Sequence, residues 1–218
     1  MNGNVFHSPL CRLLVIPTIA AGFMLAARRG EQEAAPTQAS ATASVQNFEV
    51  DDVHSMSLFR VRHNRAGQFW GRFNDVSGSI GYAPDQSLSM RVTVQAGSVD
   101  TGNKKLDGHL KSPDFFNTTE FPTMSFASTS AKSLGSGMFE VTGDMTMHGV
   151  TKRVAVPVEC SAISESRGTQ RAGFEAVFVV KRSDFGMGYG VEQGAIGDET
   201  RIIVSLECID AAAPKSGK

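Results

Sequence analysis

The sequence predicts an all-β protein in which about eight antiparallel strands roll around an apolar interior, as a barrel or a sandwich. Three observations carry that prediction. From Met138 to His148 the chain alternates, with Phe139, Val141, Gly143, Met145 and Met147 on one parity and Glu140, Thr142, Asp144, Thr146 and His148 on the other. A period of two marks a strand with one oily face and one wet face. The pattern recurs in several segments separated by turn signals such as Ala83-Pro84-Asp85 and Leu134-Gly135-Ser136-Gly137. Finally, 22 glycines and 14 phenylalanines against one tryptophan suit a turn-rich sheet walled by Phe, Met and Val.

The elements follow in order. Phe48–Val50 leads into Ser55–His63, where Ser57, Phe59, Val61 and His63 share a face opposite Arg60 and Arg62. Gln68–Ile80 comes next, and its glycines at 71 and 78 are expected to mark bulges or bends. Leu88, Met90, Val92 and Val94 alternate with Ser89, Arg91, Thr93 and Gln95, a half-buried strand. Lys104–Lys111 is the one helical piece, stopped soon after by Pro113. Thr123–Ser128 resumes the strands with Met124 and Phe126 inward. Met138–His148, Lys152–Cys160, Gly173–Lys181 and Thr200–Cys208 complete the set.

The ends read differently. Leu13–Ala27 is an apolar stretch preceded by Arg12, the length of a secretory signal core and short for a membrane span. Arg28-Arg29 stands where a small-residue cleavage site would be, so residues 1–30 are read as a signal peptide or an uncleaved membrane anchor. Residues 31–45 form a flexible Ala/Thr/Gln/Ser/Glu linker, 46–210 the folded domain, and 211–218 a polar tail. The expected location is periplasmic or secreted, with membrane anchoring as the alternative. A formal charge of −1 argues against nucleic acid as a partner. With Cys11 in the leader, Cys160 and Cys208 remain, either as one disulfide or as two buried small hydrophobes. If their strands flank a third, they stand twice ~4.8 Å apart, too far to bridge unless the sheet frays.

Inward parity assembles Phe59, Val61, Phe73, Met90, Met124, Phe126, Phe139, Met145, Met147, Val156 and Phe178. Periodicity alone allows these to fill a small core or to line a ligand cavity. His63 falls on the same parity at a strand end, where it could orient a polar head group or act structurally. His54 and Ser55 are neighbours on a strand and point to opposite faces, a poor arrangement for proton transfer. Asp107 and His109 are expected to fix the helical connection to the rim, and His148, before Gly149 in a turn, to be solvated. The five histidines show no metal-ligand spacing.

Six ordered blocks carry a resemblance. They are His54-Ser55 with Phe59-Arg60-Val61-Arg62-His63; Gly71-Arg72-Phe73; Asp107 through Phe116; Phe121-Pro122-Thr123-Met124-Ser125-Phe126; Val141-Thr142-Gly143 through His148-Gly149-Val150-Thr151; and Arg182-Ser183-Asp184-Phe185-Gly186. In this order and spacing the chain resembles the YceI-like family, small bacterial proteins with a lipocalin-like antiparallel barrel that bind polyisoprenoids. The match runs over about Phe48 to Asp210. The resemblance implies an eight-stranded barrel, no shared catalytic centre, no cofactor, and an elongated cavity for a polyprenyl lipid or isoprenoid quinone. The implied role is an exported carrier, storage or stress-related protein. An enzyme or redox-stress protein acting on a bound lipid or quinone is the second reading. Proximity to a membrane through the N-terminal segment and a homodimer through exposed barrel faces are further expectations.

Overall fold

Two of the ribbons are broken, and the breaks organise the molecule. In the computed structural model, which describes residues 44–213, β1 (Gln46–Val50) and β2 (Met56–His63) share one neighbour, the long β11 (Ile196–Asp210). β1 pairs with its end, Phe48 against Asp210, while β2 pairs with its beginning, Phe59 against Ile202. β3 (Gly67–Phe73) stays with β2, whereas β4 (Val76–Ala83) crosses to β1 and to β5 (Ser87–Gln95). The sheet continues through β7 (Thr123–Gly135), β8 (Met138–Met147), β9 (Val150–Ser166) and β10 (Thr169–Lys181) to β11. The short β6 (Val99–Asp100) pairs only with the end of β3. Because β11 returns to β1, the result is a closed, eight-stranded antiparallel barrel with one helix, as the sequence predicts.

The signal or anchor expected over 1–30, Cys11, nearly all of the linker and most of the polar tail lie outside the described residues.

The break between β3 and β4 falls at Asn74-Asp75, not at either glycine. The glycines serve close approach instead. A β-carbon at Gly71 would stand 2.3 Å from Cζ of Phe59, and one at Gly78 would stand 2.1 Å from the Arg91 carbonyl oxygen. Helix α1 (Lys104–Leu110) starts where the sequence places it because the Asn103 side-chain oxygen accepts from the backbone N–H groups of Lys105 and Leu106. β7 runs past the expected Ser128 to Gly135, because register shifts after Ser128 and Ser133 scramble its alternation. The β9–β10 hairpin is also longer than its apolar pattern, and its outer end is polar and exposed.

One end of the barrel is plugged. Phe48, Tyr82, Phe139 and Phe174 meet there edge to face, with ring centroids 5.7 to 6.5 Å apart. Such pairs add about 0.5–1.5 kcal/mol each beyond the area they bury. At the other end the segment between β5 and β7 brings Leu110, Phe115 and Phe116 onto the bore, and Phe116 packs on Phe59 and Phe73.

Candidate functional site

Between the plug and the rim lies a cavity of about 160 Å³. Its wall is the inward parity of nearly every ribbon, so the alternation that builds the strands also builds the site. Phe59, Val61, Phe73, Met90, Met124, Phe126, Met145, Met147, Val156 and Phe178 all line it. His63 does not. It stands exposed at the end of β2, opposite Ile196, beside a register shift in β11, and its imidazole gains hydration by staying beyond the rim. Phe139 does not line the cavity either. It is completely buried against Tyr82 in the plug, because its position on β8 lies toward the closed end.

Several further residues line the wall. Val92, Val94, Val158, Ala176 and Val180 share strand and parity with residues the alternation selects, whereas Ile202 and Val204 lie on β11, from which it selects none. Leu110, Phe115, Phe116 and Met187 belong to connections, where no period of two exists to reveal them, and Ile196 opens β11 ahead of a register shift that breaks the alternation.

The charged member of the wall is Arg182, only 6% exposed. Its Nε donates to Gly197 O, Nη1 to Met187 O, and Nη2 to Tyr189 O and Ile196 O, at 2.7 to 3.1 Å. Burial lowers its pKa from the ordinary value, with Asp198 pulling the other way. Asp198 in turn accepts from the Ser183 backbone N–H and hydroxyl. Arg182 therefore ties down the glycine-rich loop after residue 185, which carries Met187 into the cavity wall. Across the opening, Tyr189 of that loop meets the ring of His109 at 5.5 Å and Phe115 at 5.2 Å.

The other polar residues have structural partners. Asp107 accepts from the Thr101 N–H and hydroxyl, and His109 pairs with Asp114 at 3.0 Å, so both hold the helical connection in place. His148 is half-buried, not solvated. Its ring packs 4.8 Å from Phe121 and its Nδ1 lies 3.2 Å from the Phe185 carbonyl, because the turn tucks under residues 182–186. The Ser55 hydroxyl is spent on β11, donating to Glu207 O and accepting from Glu207 N. His54 pairs instead with Asp51 at 3.0 Å. Asp51, His54 and Glu207 bring ligand atoms within 4.8 Å of one another, but the Arg171 guanidinium binds both carboxylates and already supplies the positive charge.

Cys160 and Cys208 are both free thiols. They flank β10, opposite Phe174 and Ala172 respectively. Burial pushes the Cys208 thiol up to about 12, which keeps it protonated and inert.

Residues 48–208 match the sequence model of the YceI-like domain. The chain belongs to the YceI-like family. It is 33% identical over 171 residues to Protein YceI of Shigella flexneri, covering 77% of this chain and 88% of that one. The crystal structure of BcnA from Burkholderia cenocepacia superimposes with a TM-score of 0.64 at 25% identity, covering 72% of this chain and 98% of BcnA. A polyisoprenoid binding domain from Saccharophagus degradans, implicated in plant cell wall breakdown, shares the fold with a TM-score of 0.58. Its identity is 15%, and the match covers 77% of this chain and 99% of that domain.

Proposed function

We propose that this YceI-like barrel binds the isoprenoid tail of a polyprenyl lipid or isoprenoid quinone in its cavity, and serves as an exported carrier, storage or stress-related protein. The observation that carries this reading is the cavity itself: an apolar bore at the heart of a barrel whose opposite end is packed shut. The polyisoprenoid-binding description of the Saccharophagus domain, of the same fold, points the same way.

The wall suits such a guest. A prenyl chain gains about 25 cal/mol for each Å² of apolar surface taken from water, before the costs of association. Five of the nine methionines, Met90, Met124, Met145, Met147 and Met187, line the bore. Unbranched and polarizable, they can re-rotamerise around a flexible guest that stiffer side chains would fit in only one pose. The cavity is narrow, so admission of a long chain requires that adjustment.

Native mass spectrometry and organic extraction of the purified protein test the proposal. Both should recover a prenyl lipid in stoichiometric amount. Repeated recovery of empty protein, together with no uptake of added prenyl lipid, would sink it.

A further inference from the structure

The outer faces of the barrel are not alike. On β8 the outward residues are Glu140, Thr142, Asp144 and Thr146, and on β5 they are Ser89, Arg91 and Thr93, the polar coat expected of a sheet facing water. On the wall built from β10, β11, β2 and β3 the outward positions carry Val177, Val179, Ile203 and Trp70, with arginines set among them. Strand register places four of these residues side by side: Trp70 is opposite Arg60, Arg60 opposite Arg201, and Arg201 opposite Val179. The next row sets Val177 beside Ile203. Val179 is 57% exposed and Trp70 46%, both large apolar groups left in water.

Positive charge predominates around the apolar row; Glu175, outward on β10 beyond Val177, lies on the side of the closed end. Arg60 lies over the Trp70 ring, 5.7 Å from its centroid. Arg62 and Arg201 are exposed and have no ion-pair partner among the described residues. Arg72, also outward, is neutralised by Asp100, and Lys181 faces Glu199 across the ladder. That leaves three uncompensated guanidinium groups around an exposed indole and three aliphatic side chains, although the whole chain is close to neutral. A second copy would set arginine against arginine if it docked on the same face, so self-association is disfavoured. An anionic phospholipid surface is complementary. Each arginine near it strengthens binding about fivefold, tryptophan favours the boundary between headgroups and acyl chains, and arginine stems bury alongside aliphatic groups while their heads reach phosphate.

We propose that the outer wall formed by Arg60, Arg62, Trp70, Val179 and Arg201 docks this protein on anionic membrane surfaces. The patch borders the open end of the bore. β2 reaches the rim at His63 and β10 at Lys181, each within three residues of the patch. Docking there brings the cavity mouth beside a lipid surface, whatever molecule the cavity holds.

Trp70 is the only tryptophan in the chain, so its fluorescence reports on this site alone. The full-length protein is mixed with vesicles of phosphatidylcholine alone or with phosphatidylglycerol added, with and without brominated acyl chains. The expected result is a blue shift and bromine quenching of Trp70 with the anionic vesicles only, reversed by high salt. Arg60→Gln/Arg201→Gln should weaken vesicle affinity at least about tenfold while leaving the far-ultraviolet spectrum unchanged. Because an N-terminal anchor would tether the protein without burying residue 70, quenching separates docking from tethering. Trp70 emission indifferent to anionic vesicles, equal for neutral ones, or unaffected by the double substitution overturns the proposal. A shift that depends on protein concentration without vesicles overturns it too, in favour of a dimer.

Discussion

The far edge of the Phe59 ring covers Gly71, its partner across the β2–β3 ladder. A β-carbon on residue 71 would approach three ring atoms at 2.3, 2.7 and 3.1 Å, so the ring must give way. Phe59 lines the cavity and packs on Phe73 at 5.7 Å, so a displaced ring must swing into the bore. Gly71→Ala should cost about 1–3 kcal/mol through overpacking and lower the amount of lipid the protein retains. Gly71→Ala/Phe59→Leu should recover part of both, because the shorter side chain vacates the space. Urea denaturation midpoints and extracted lipid per mole of protein measure the two effects. A single variant as stable as wild type would mean the ring has room to move.

Arg182 provides a second test, of the loop at the mouth. Replacing it with Met keeps most of its volume but strands the carbonyls of Met187, Tyr189, Ile196 and Gly197. Leaving a buried acceptor unpaired costs about 1–3 kcal/mol, and water reaching the loop recovers some of that for several of the four. Arg182→Met should therefore lose about 3 kcal/mol or more. Amide exchange should accelerate over residues 186–197 before it does in the plug. Uniform loss of protection across the barrel would argue that Arg182 supports the whole fold and not this loop in particular.

The two tests also mark how far the sequence could be read. The barrel was legible because each long strand must place one parity in oil and the other in water, and a wall with that constraint writes it into the chain. Met90, Val92 and Val94 or Met145 and Met147 could hardly be arranged otherwise. Position along the bore was not legible. Phe139 and Met145 share strand and parity, yet one belongs to the plug and the other to the cavity, because parity fixes the face of a strand and not its height. His63 shows the same limit at the opposite end, where the strand carries it beyond the cavity lining. Arg182 is a harder case. A charged residue after an apolar strand reads as solvated, and only the return of the loop over residues 187–197, with its row of carbonyls, makes it a buried staple. The basic and apolar outer wall was hidden because Trp70, Arg60, Arg201 and Val179 lie on four strands that only register aligns.

Met145 tests the wall. Its side chain faces the cavity from near the end of β8, opposite Phe126 on β7. Met145→Lys would place an ammonium group in an apolar bore with no carboxylate among its lining residues. The variant should fold, since a lysine stem can reach toward the rim, and it should lose retained lipid almost completely. Met145→Leu should retain it, separating charge from shape. Normal lipid retention in the lysine variant would show that residue 145 does not contact the ligand.

At the far end of the barrel, Asp51 and His54 should make stability depend on pH. Burial raises the Asp51 pKa, but hydrogen bonds from His54, the Val53 backbone and Arg171 outweigh it, and the net shift is downward from 3.8. The hydrogen bond to Asp51 and its charge raise His54 above 6.5. The signs then follow from linkage. The lowered carboxyl stabilises the fold above its ordinary value and loses that contribution as pH falls through the lowered pKa. The raised imidazole contributes fully below 6.5 and loses its contribution as pH rises through the raised pKa. Both act together between roughly pH 4 and 6.5. The His54 side chain is exposed, so the effect is modest and salt-sensitive. Wild type should melt above His54→Gln at about pH 5, with the gap closing by about pH 8.5. Asp51→Asn should abolish that change in the gap, because the imidazole then has lost its counter-charge. A gap of equal size at both pH values would mean that the pair contributes by shape alone, with the proton on His54 playing no part.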